Sequence, residues 1–212
     1  RAPTLGLDVD DYTVPVRGES PSRHSQRLFS DLNRWMLKIL LLRRVPPGMW
    51  GGPRDKAGTP TDLHRIAGVS PETAHRFVRT FEEHDYLRRT KRGLRPVRVE
   101  ALLEAWMAAE RLAPPRRIPA SWFLGSESRL EYAFSPTPES PVIVGGFEAC
   151  RRHGLLHTRS PHLEIHVLGN WRMEVEDWEI GLDDVDQPDL FLLESSHARS
   201  VIAGRVAHED LP

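Results

Sequence analysis

The sequence feature that most constrains the fold is a helix predicted from Pro71 to Phe81. Its apolar positions recur at the spacing of one buried helix face, at Ala74, Phe77, Val78 and Phe81. Ser70 precedes the helix as an N-cap, and Pro71 occupies the first helical position, where proline is well tolerated. Burying the apolar face turns the remaining side chains outward as a row of polar and basic groups.

The elements around this helix are predicted from local signals of the same kind. A short helix from Pro60 to Ala67 has Thr59 as its N-cap and Gly68 as its stop. Strands from Tyr86 to Thr90 and from Leu94 to Val97 flank a tight turn at Lys91-Arg92-Gly93. Longer amphipathic helices are predicted from Ser25 to a stop before Pro46 and from Val99 to Leu112. This order is typical of a winged helix-turn-helix.

Four segments are predicted, and together they give an α+β fold class. They are an N-terminal tail at 1–24, a winged helix-turn-helix at 25–113, a Pro/Arg linker at 114–120 and a small acidic α/β domain at 121–212. A short strand is predicted in the tail, from Tyr12 to Val16. In the acidic domain, strands are predicted at Arg129–Phe134, Pro141–Val144, Leu163–Leu168, Met173–Ile180 and Leu190–Leu193, with a helix at Gly146–His153.

Charge divides the chain in the same way. Residues 21–120 contain 20 Lys and Arg against 10 Asp and Glu, whereas residues 121–212 contain 7 against 16. A basic module of this size attracts polyanions. We therefore predict that the winged helix binds double-stranded DNA and that the protein is a transcriptional regulator.

The predicted DNA-contacting residues lie on the outward face of the helix from Pro71 to Phe81, at its N-cap and around the hairpin turn. On the helix they are Ser70, Thr73, His75, Arg76 and Arg79, and on the hairpin they are Arg88, Arg89, Lys91, Arg92 and Arg95. Arginine on a helix can pair with guanine in the major groove, and a basic hairpin suits backbone or minor-groove contact. Two alternatives stay open: a solvated charged face, and a winged helix that binds another protein.

Composition excludes several other classes of protein. No apolar run approaches the ~20 residues of a membrane span, and no leader with a small-residue cleavage site is seen. Cys150 is the only cysteine, which excludes an intrachain disulfide. We expect a cytoplasmic protein with no cofactor and no bound metal.

The stretch from Leu63 to Trp106 resembles the winged-helix region of AbiEi-like antitoxins, above all in the eight residues Val99–Trp106. These antitoxins belong to bacterial type IV toxin–antitoxin systems, and many repress their own operon. The resemblance implies a nucleotidyltransferase-like toxin as partner and a degenerate nucleotidyltransferase-like C-terminal domain, matched loosely at Val142–Ala149. The family has a further helix beyond Leu211-Pro212, so the C-terminal domain is expected to be incomplete. A homodimer is also expected.

The alternative function is a nucleotidyltransferase-fold enzyme with a winged-helix accessory domain. Gly145-Gly146 follows an apolar strand, as at the opening of that fold, but the next strand offers only Glu164 where two magnesium-binding acids are needed. His162, Glu164 and His166 alternate onto one strand face, spaced too widely for one zinc ion, so a solvent-facing polar strand is preferred. No catalytic residue is predicted.

The acidic runs at 174–179 and 183–186 have two interpretations. One is a solvent-exposed edge, which we prefer. The other is an autoinhibitory surface that contacts the basic winged helix when DNA is absent.

Overall fold

The computed structural model describes residues 27–46, 49–122, 142–155, 162–169, 171–172, 180–182, 186–195 and 197–206. The helices are α1 (Asp31–Leu42), α2 (Pro60–Ala67), α3 (Pro71–Glu83), α4 (Val99–Leu112), α5 (Gly146–Arg152) and α6 (Ala198–Ile202). The strands are β1 (Leu87–Thr90), β2 (Gly93–Pro96), β3 (Arg116–Trp122), β4 (Val142–Val144), β5 (Leu163–Val167), β6 (Ile180–Gly181) and β7 (Leu190–Glu194). Within those ranges, no helix has the length and apolar character to cross a bilayer.

Helices α1 to α4 and the β1–β2 hairpin share one hydrophobic core. Phe29, Met36 and Leu63 are fully buried in it, together with the face of α3 that contains Phe77 and Phe81. The predicted order of helix, helix, turn, helix and hairpin is therefore observed. The α+β fold class is confirmed, and the helix from Pro60 to Ala67 has the predicted bounds.

The first predicted helix is interrupted. The sequence predicts one helix from Ser25 to a stop before Pro46, but α1 begins at Asp31 after a break at Phe29 and Ser30 and ends at Leu42. The break turns Phe29 into the core, where its ring stacks on Trp106 with centroids 6.1 Å apart. The Phe29 carbonyl accepts a hydrogen bond from Arg34 Nε at 2.6 Å instead of continuing the helix ladder.

The second half contains a five-stranded mixed sheet in the order β4-β5-β7-β3-β6. Strand β7 is antiparallel to β3 and parallel to β5. A separate core lies on this sheet, and it includes Ile165, Leu190, Leu192 and Trp171. The strands and helix predicted near 142–144, 146–152, 163–167 and 190–194 are confirmed.

The predicted linker at 114–120 is wrong from Arg116 onward. Residues Arg116–Trp122 form β3, and Arg116 to Ala120 pair with β7. Pro119 lacks the N–H group that a doubly paired strand needs. It is tolerated because, among the described residues, β6 pairs with Ser121 and Trp122, and β7 is the strand that pairs with β3 at Pro119.

Several predicted features lie outside the described residues. They are the tail and its strand at 12–16, the strand at 129–134, the acidic run at 174–179 and most of the run at 183–186. Of the strand predicted from Met173 to Ile180, only Ile180 is described, and it begins β6.

The segment from 198 to 206 packs against the winged helix. Gly51 N donates a hydrogen bond to Gly204 O at 3.3 Å, and Ala203 packs against the winged-helix core. The buried Trp50 ring lies so close to Gly204 that a Cβ there would overlap it. The predicted division at residue 121 assigns this segment to the acidic domain, whereas its described contacts include the winged-helix core.

Candidate nucleic-acid interface

The turn between α2 and α3 is built by two caps. Gly68 ends α2 in the left-handed conformation, with φ of 61°, which glycine adopts without a Cβ penalty. Two residues later, Ser70 Oγ accepts a hydrogen bond from Thr73 N at 3.2 Å and lies 2.8 Å from Thr73 Oγ1. Ser70 and Thr73, both predicted to contact DNA, therefore take part in the cap that starts α3.

Three predicted residues of α3 lie on its exposed face, opposite the buried one. They are His75, Arg76 and Arg79. Each arginine is near an acid one turn away: Arg76 Nη1 is 3.8 Å from Glu72 Oε1, and Arg79 Nε is 3.9 Å from Glu83 Oε1. Such exposed pairs contribute little stability. Both guanidinium groups are therefore free to exchange these acids for a base edge or a phosphate.

Acidic residues on α3 are a feature that the sequence interpretation overlooked. Glu72, Glu82 and Glu83 outnumber the two arginines of this helix. The hairpin must consequently supply most of the positive potential of the surface. The predicted helix ended at Phe81 and contained only Glu72 against the two arginines, so the excess of acid follows from the extension of α3 to Glu83.

The hairpin places its basic residues on two different faces. Residues directly opposite each other in an antiparallel pair lie on the same face. Arg88 pairs with Arg95, whereas Arg89 pairs with the buried Leu94. Arg88 and Arg95 thus share the outer face, and Arg89 lies on the inner one, where its Nε is 3.0 Å from Glu82 Oε1. The predicted cluster of five cations is therefore divided.

The remaining two predicted cations, Lys91 and Arg92, are exposed at the tip of the hairpin. Thr90 Oγ1 accepts a hydrogen bond from Arg92 N at 3.1 Å and donates one to Gly93 O at 2.9 Å. Gly93 has φ of 109°, a conformation that strains any residue with a Cβ. The turn is therefore well defined, and its two cations project from an ordered loop.

The hairpin is tied to the loop that precedes α2. Leu94 N donates to Ala57 O at 3.2 Å, and a Cβ at Gly93 would lie 2.9 Å from the Cα of Gly58. The loop brings Lys56, exposed and absent from the sequence prediction, beside the hairpin turn. In the sequence, Lys56 is a single basic residue in a predicted loop, and this does not indicate that it lies beside the hairpin.

A capping box fixes the start of α2 next to that loop. Thr59 Oγ1 accepts from Asp62 N at 3.1 Å, and Asp62 Oδ2 accepts from Thr59 N at 2.9 Å. Hydrogen bonds from the Thr59 side chain and backbone hold the pKa of Asp62 below its usual value. The loop, α2 and the hairpin therefore form one connected unit.

The polar residues of β5, and His162 just before it, do not form a solvent-facing row. Glu164 Oε1 lies 3.3 Å from Arg117 Nη2, and His162 Nδ1 is 3.0 Å from Pro188 O. His166 is half-buried, and burial lowers its pKa. In the part of the chain that the structure describes, no group of three or more His, Cys, Asp or Glu is arranged to hold a metal ion.

Together, α2, the capped turn, α3 and the basic hairpin define a winged helix-turn-helix. Residues 52–91 match the IclR helix-turn-helix domain family. The matched stretch runs from the loop before α2 through both helices to the turn of the hairpin. No curated protein and no solved structure matches the chain.

Proposed function

We propose that the protein is a DNA-binding transcriptional regulator. Helix α3 lies in the major groove, and the β1–β2 hairpin holds the phosphate backbone. The observation that supports this most is the match of residues 52–91 to the IclR helix-turn-helix domain over elements that expose Arg76 and Arg79. An α-helix fits the major groove, where arginine forms two hydrogen bonds with guanine.

In this proposal the two elements have different tasks. Helix α3 has more acids than arginines, so it adds little general attraction for phosphate. The hairpin and its neighbour Lys56 supply that attraction, since Arg88, Lys91, Arg92 and Arg95 are all exposed. Phosphate contacts position a protein on DNA, whereas contacts with base edges determine the sequence it selects.

The proposal is tested by fluorescence anisotropy with two labelled duplexes at several salt concentrations. One duplex comes from the region upstream of the gene, and the other has the same bases in scrambled order. We expect tighter binding to the upstream duplex and a steep loss of affinity with salt, from counterion release. Failure to bind either duplex at low salt would favour a protein-binding winged helix.

Two alanine variants separate the two tasks. Arg76→Ala should lose about 1–3 kcal/mol on the preferred duplex and discriminate less against the scrambled one. Arg92→Ala should weaken binding to both duplexes alike and reduce the salt slope by about one unit. Arg116→Ala, at an exposed position of β3 outside the winged helix, serves as the control. Equal behaviour of all three variants would contradict this division.

The proposed regulator is a homodimer that associates through α4. Val99, Leu103 and Met107 are spaced by four residues and are 39%, 42% and 52% exposed. They therefore form an apolar stripe along one side of the helix. A second copy of the same helix would cover it, as the two half-sites of an operator require of a helix-turn-helix dimer.

Charge introduced into this stripe should separate the two copies. Met107→Glu is expected to reduce the mass measured by light scattering from that of a dimer to that of a monomer, since a carboxylate would be buried unpaired. Glu104→Gln, on an exposed position of the same helix, is the control. A monomeric wild-type chain at all concentrations would refute the dimer.

A more specific proposal is that this regulator is an antitoxin-like repressor. Its support is the resemblance of residues 63–106 to AbiEi-like antitoxins. The partner would be a nucleotidyltransferase-like toxin, and co-purification of the two proteins from co-expressing cells tests this.

We propose no catalytic activity for the chain itself. In support, Glu164 is paired with Arg117, and a Cβ at Gly146 would lie 2.5 Å from Glu164 Oε2, which explains this glycine by packing.

A further inference from the structure

Helix α6 is held against α1 by hydrogen bonds to Arg199 and Ser200. The carboxylate of Asp31 accepts from Arg199 N at 3.0 Å and from Ser200 N at 2.8 Å. Lys38 Nζ donates to Ser200 O at 2.7 Å. Ser200 is 2% exposed, whereas the bond from Arg199 N lies at the exposed edge of the contact. A segment near residue 200 is thus tightly docked on the first helix of the winged helix.

The Arg199 side chain continues from this contact to the helix-turn-helix itself. Its Nη2 atom donates to Ala67 O at 2.8 Å and to Gly68 O at 2.7 Å. The last carbonyl groups of a helix have no partner within it, and an arginine near that end also interacts favourably with the helix dipole. Arg199 therefore satisfies carbonyl groups at the C-terminal end of α2.

These two carbonyls lie in the turn that sets the direction of α3. Gly68 is followed directly by Val69 and by Ser70, the N-cap of α3. Within the winged helix, Trp35 Nε1 donates to Ala67 O at 3.0 Å, and His64 Nδ1 lies 2.7 Å from Val69 O. Among the described residues, Arg199 adds a contact to the turn that comes from the other half of the chain.

We propose that Arg199 is a positioning residue for DNA binding, which makes the orientation of α3 depend on the docking of α6. The inference rests on the proposed function. Arg199 acts through the carbonyl groups of Ala67 and Gly68, without touching the duplex. Any partner or signal that moves α6 would then alter DNA binding at the turn.

The test compares Arg199→Ala and Arg199→Lys with the wild-type full chain. Dissociation constants for the upstream duplex are measured over a series of salt concentrations. Amide hydrogen exchange at residues 68–73 is measured without DNA. We expect Arg199→Ala to raise the dissociation constant about three- to tenfold, the size expected for one hydrogen bond of ordinary net strength, with an unchanged salt slope and faster exchange. Lysine can still donate to both carbonyls, so Arg199→Lys should recover most of the affinity.

A second variant weakens the docking of α6 by changing Asp31 on α1, and it leaves Arg199 unchanged. Asp31→Asn removes the charge that anchors α6 and leaves Arg199 in place. It should also raise the dissociation constant and speed exchange at the turn. Arg116→Ala is again the control, and thermal unfolding monitored by circular dichroism verifies that each variant is folded.

Three outcomes would overturn the proposal. A salt slope reduced by about one unit in Arg199→Ala would mean that Arg199 binds a phosphate directly. Unchanged affinity and exchange would mean that the turn does not need Arg199, and an Arg199→Lys variant as weak as Arg199→Ala would contradict the bonding scheme. If the wild-type chain binds no duplex, the proposed function fails, and hydrogen exchange alone decides whether Arg199 holds the turn.

Discussion

Replacing Glu110 with alanine should lower the free energy of unfolding by about 1–3 kcal/mol, because it leaves a buried arginine without its counter-charge. The Arg34 side chain is 5% exposed and the Glu110 side chain is 41% exposed, so water partly screens the pair, in which Arg34 Nη1 lies 2.6 Å from Glu110 Oε1. Burial lowers the pKa of Arg34, and Glu110 opposes that shift. The same carboxylate accepts a hydrogen bond from Trp106 Nε1 at 2.9 Å, which the substitution also removes.

Urea unfolding followed by circular dichroism measures this loss. Glu104→Ala, on an exposed position of the same helix, should change stability by less than about 0.5 kcal/mol. Replacing both members of the pair by apolar residues, as in Arg34→Met with Glu110→Leu, should recover much of the loss. If Glu110→Ala costs under about 1 kcal/mol, water reaches Arg34 and the pair is not a buried one.

Gly204→Val is expected to displace the 198–206 segment and to destabilise the protein by about 1–3 kcal/mol, the usual cost of overpacking. The added Cβ would overlap the ring of Trp50. That ring cannot simply move aside, because it is 5% exposed and its centroid lies 5.7 Å from that of Trp35. Tryptophan fluorescence should shift to the red as Trp50 gains water, and the melting temperature should fall.

The matched control is Gly169→Ala. Gly169 has φ of 60° but open space around its Cβ position, so this change measures backbone strain without a clash. We expect it to cost about 1 kcal/mol and to leave tryptophan fluorescence unchanged. Gly204→Val with wild-type fluorescence and melting temperature would show that the segment is not packed on Trp50.

Elements with strong local signals were predicted well from the sequence. Helix α2 has an N-cap, an N-terminal proline and a stopping glycine, and its predicted bounds match the structure. Helix α3 has the predicted start and runs two residues past Phe81, to Glu83. Strand β3 was missed because Pro119, its two arginines and the prolines just before it are typical of a linker, and pairing with β7 makes it a strand.

Contacts between residues far apart in the chain could not be predicted, because they leave no recognisable pattern in the sequence. Arg199 donates to main-chain carbonyls, which every residue has, so its partners at Ala67 and Gly68 could not be inferred from residue types. The candidate site shows the same limit at a shorter range. Arg76 and Arg79 lie on the predicted face of α3 because helical spacing determines it. Sequence alone did not separate Arg89, which pairs with Glu82, from the outward-facing Arg88.

The hydrogen bond between Asp31 and Ser200 joins groups 169 positions apart along the chain. The ribosome makes proteins from the N-terminus, and domains generally begin to fold in that order. The helix-turn-helix therefore leaves the ribosome long before the segment that completes its turn. Until that segment is made, the Asp31 carboxylate of α1 lacks its partners on α6, and the Trp50 ring is not covered by Gly204. If the proposed function is correct, a chain still being translated should accordingly bind DNA less well than one in which α6 has docked on α1.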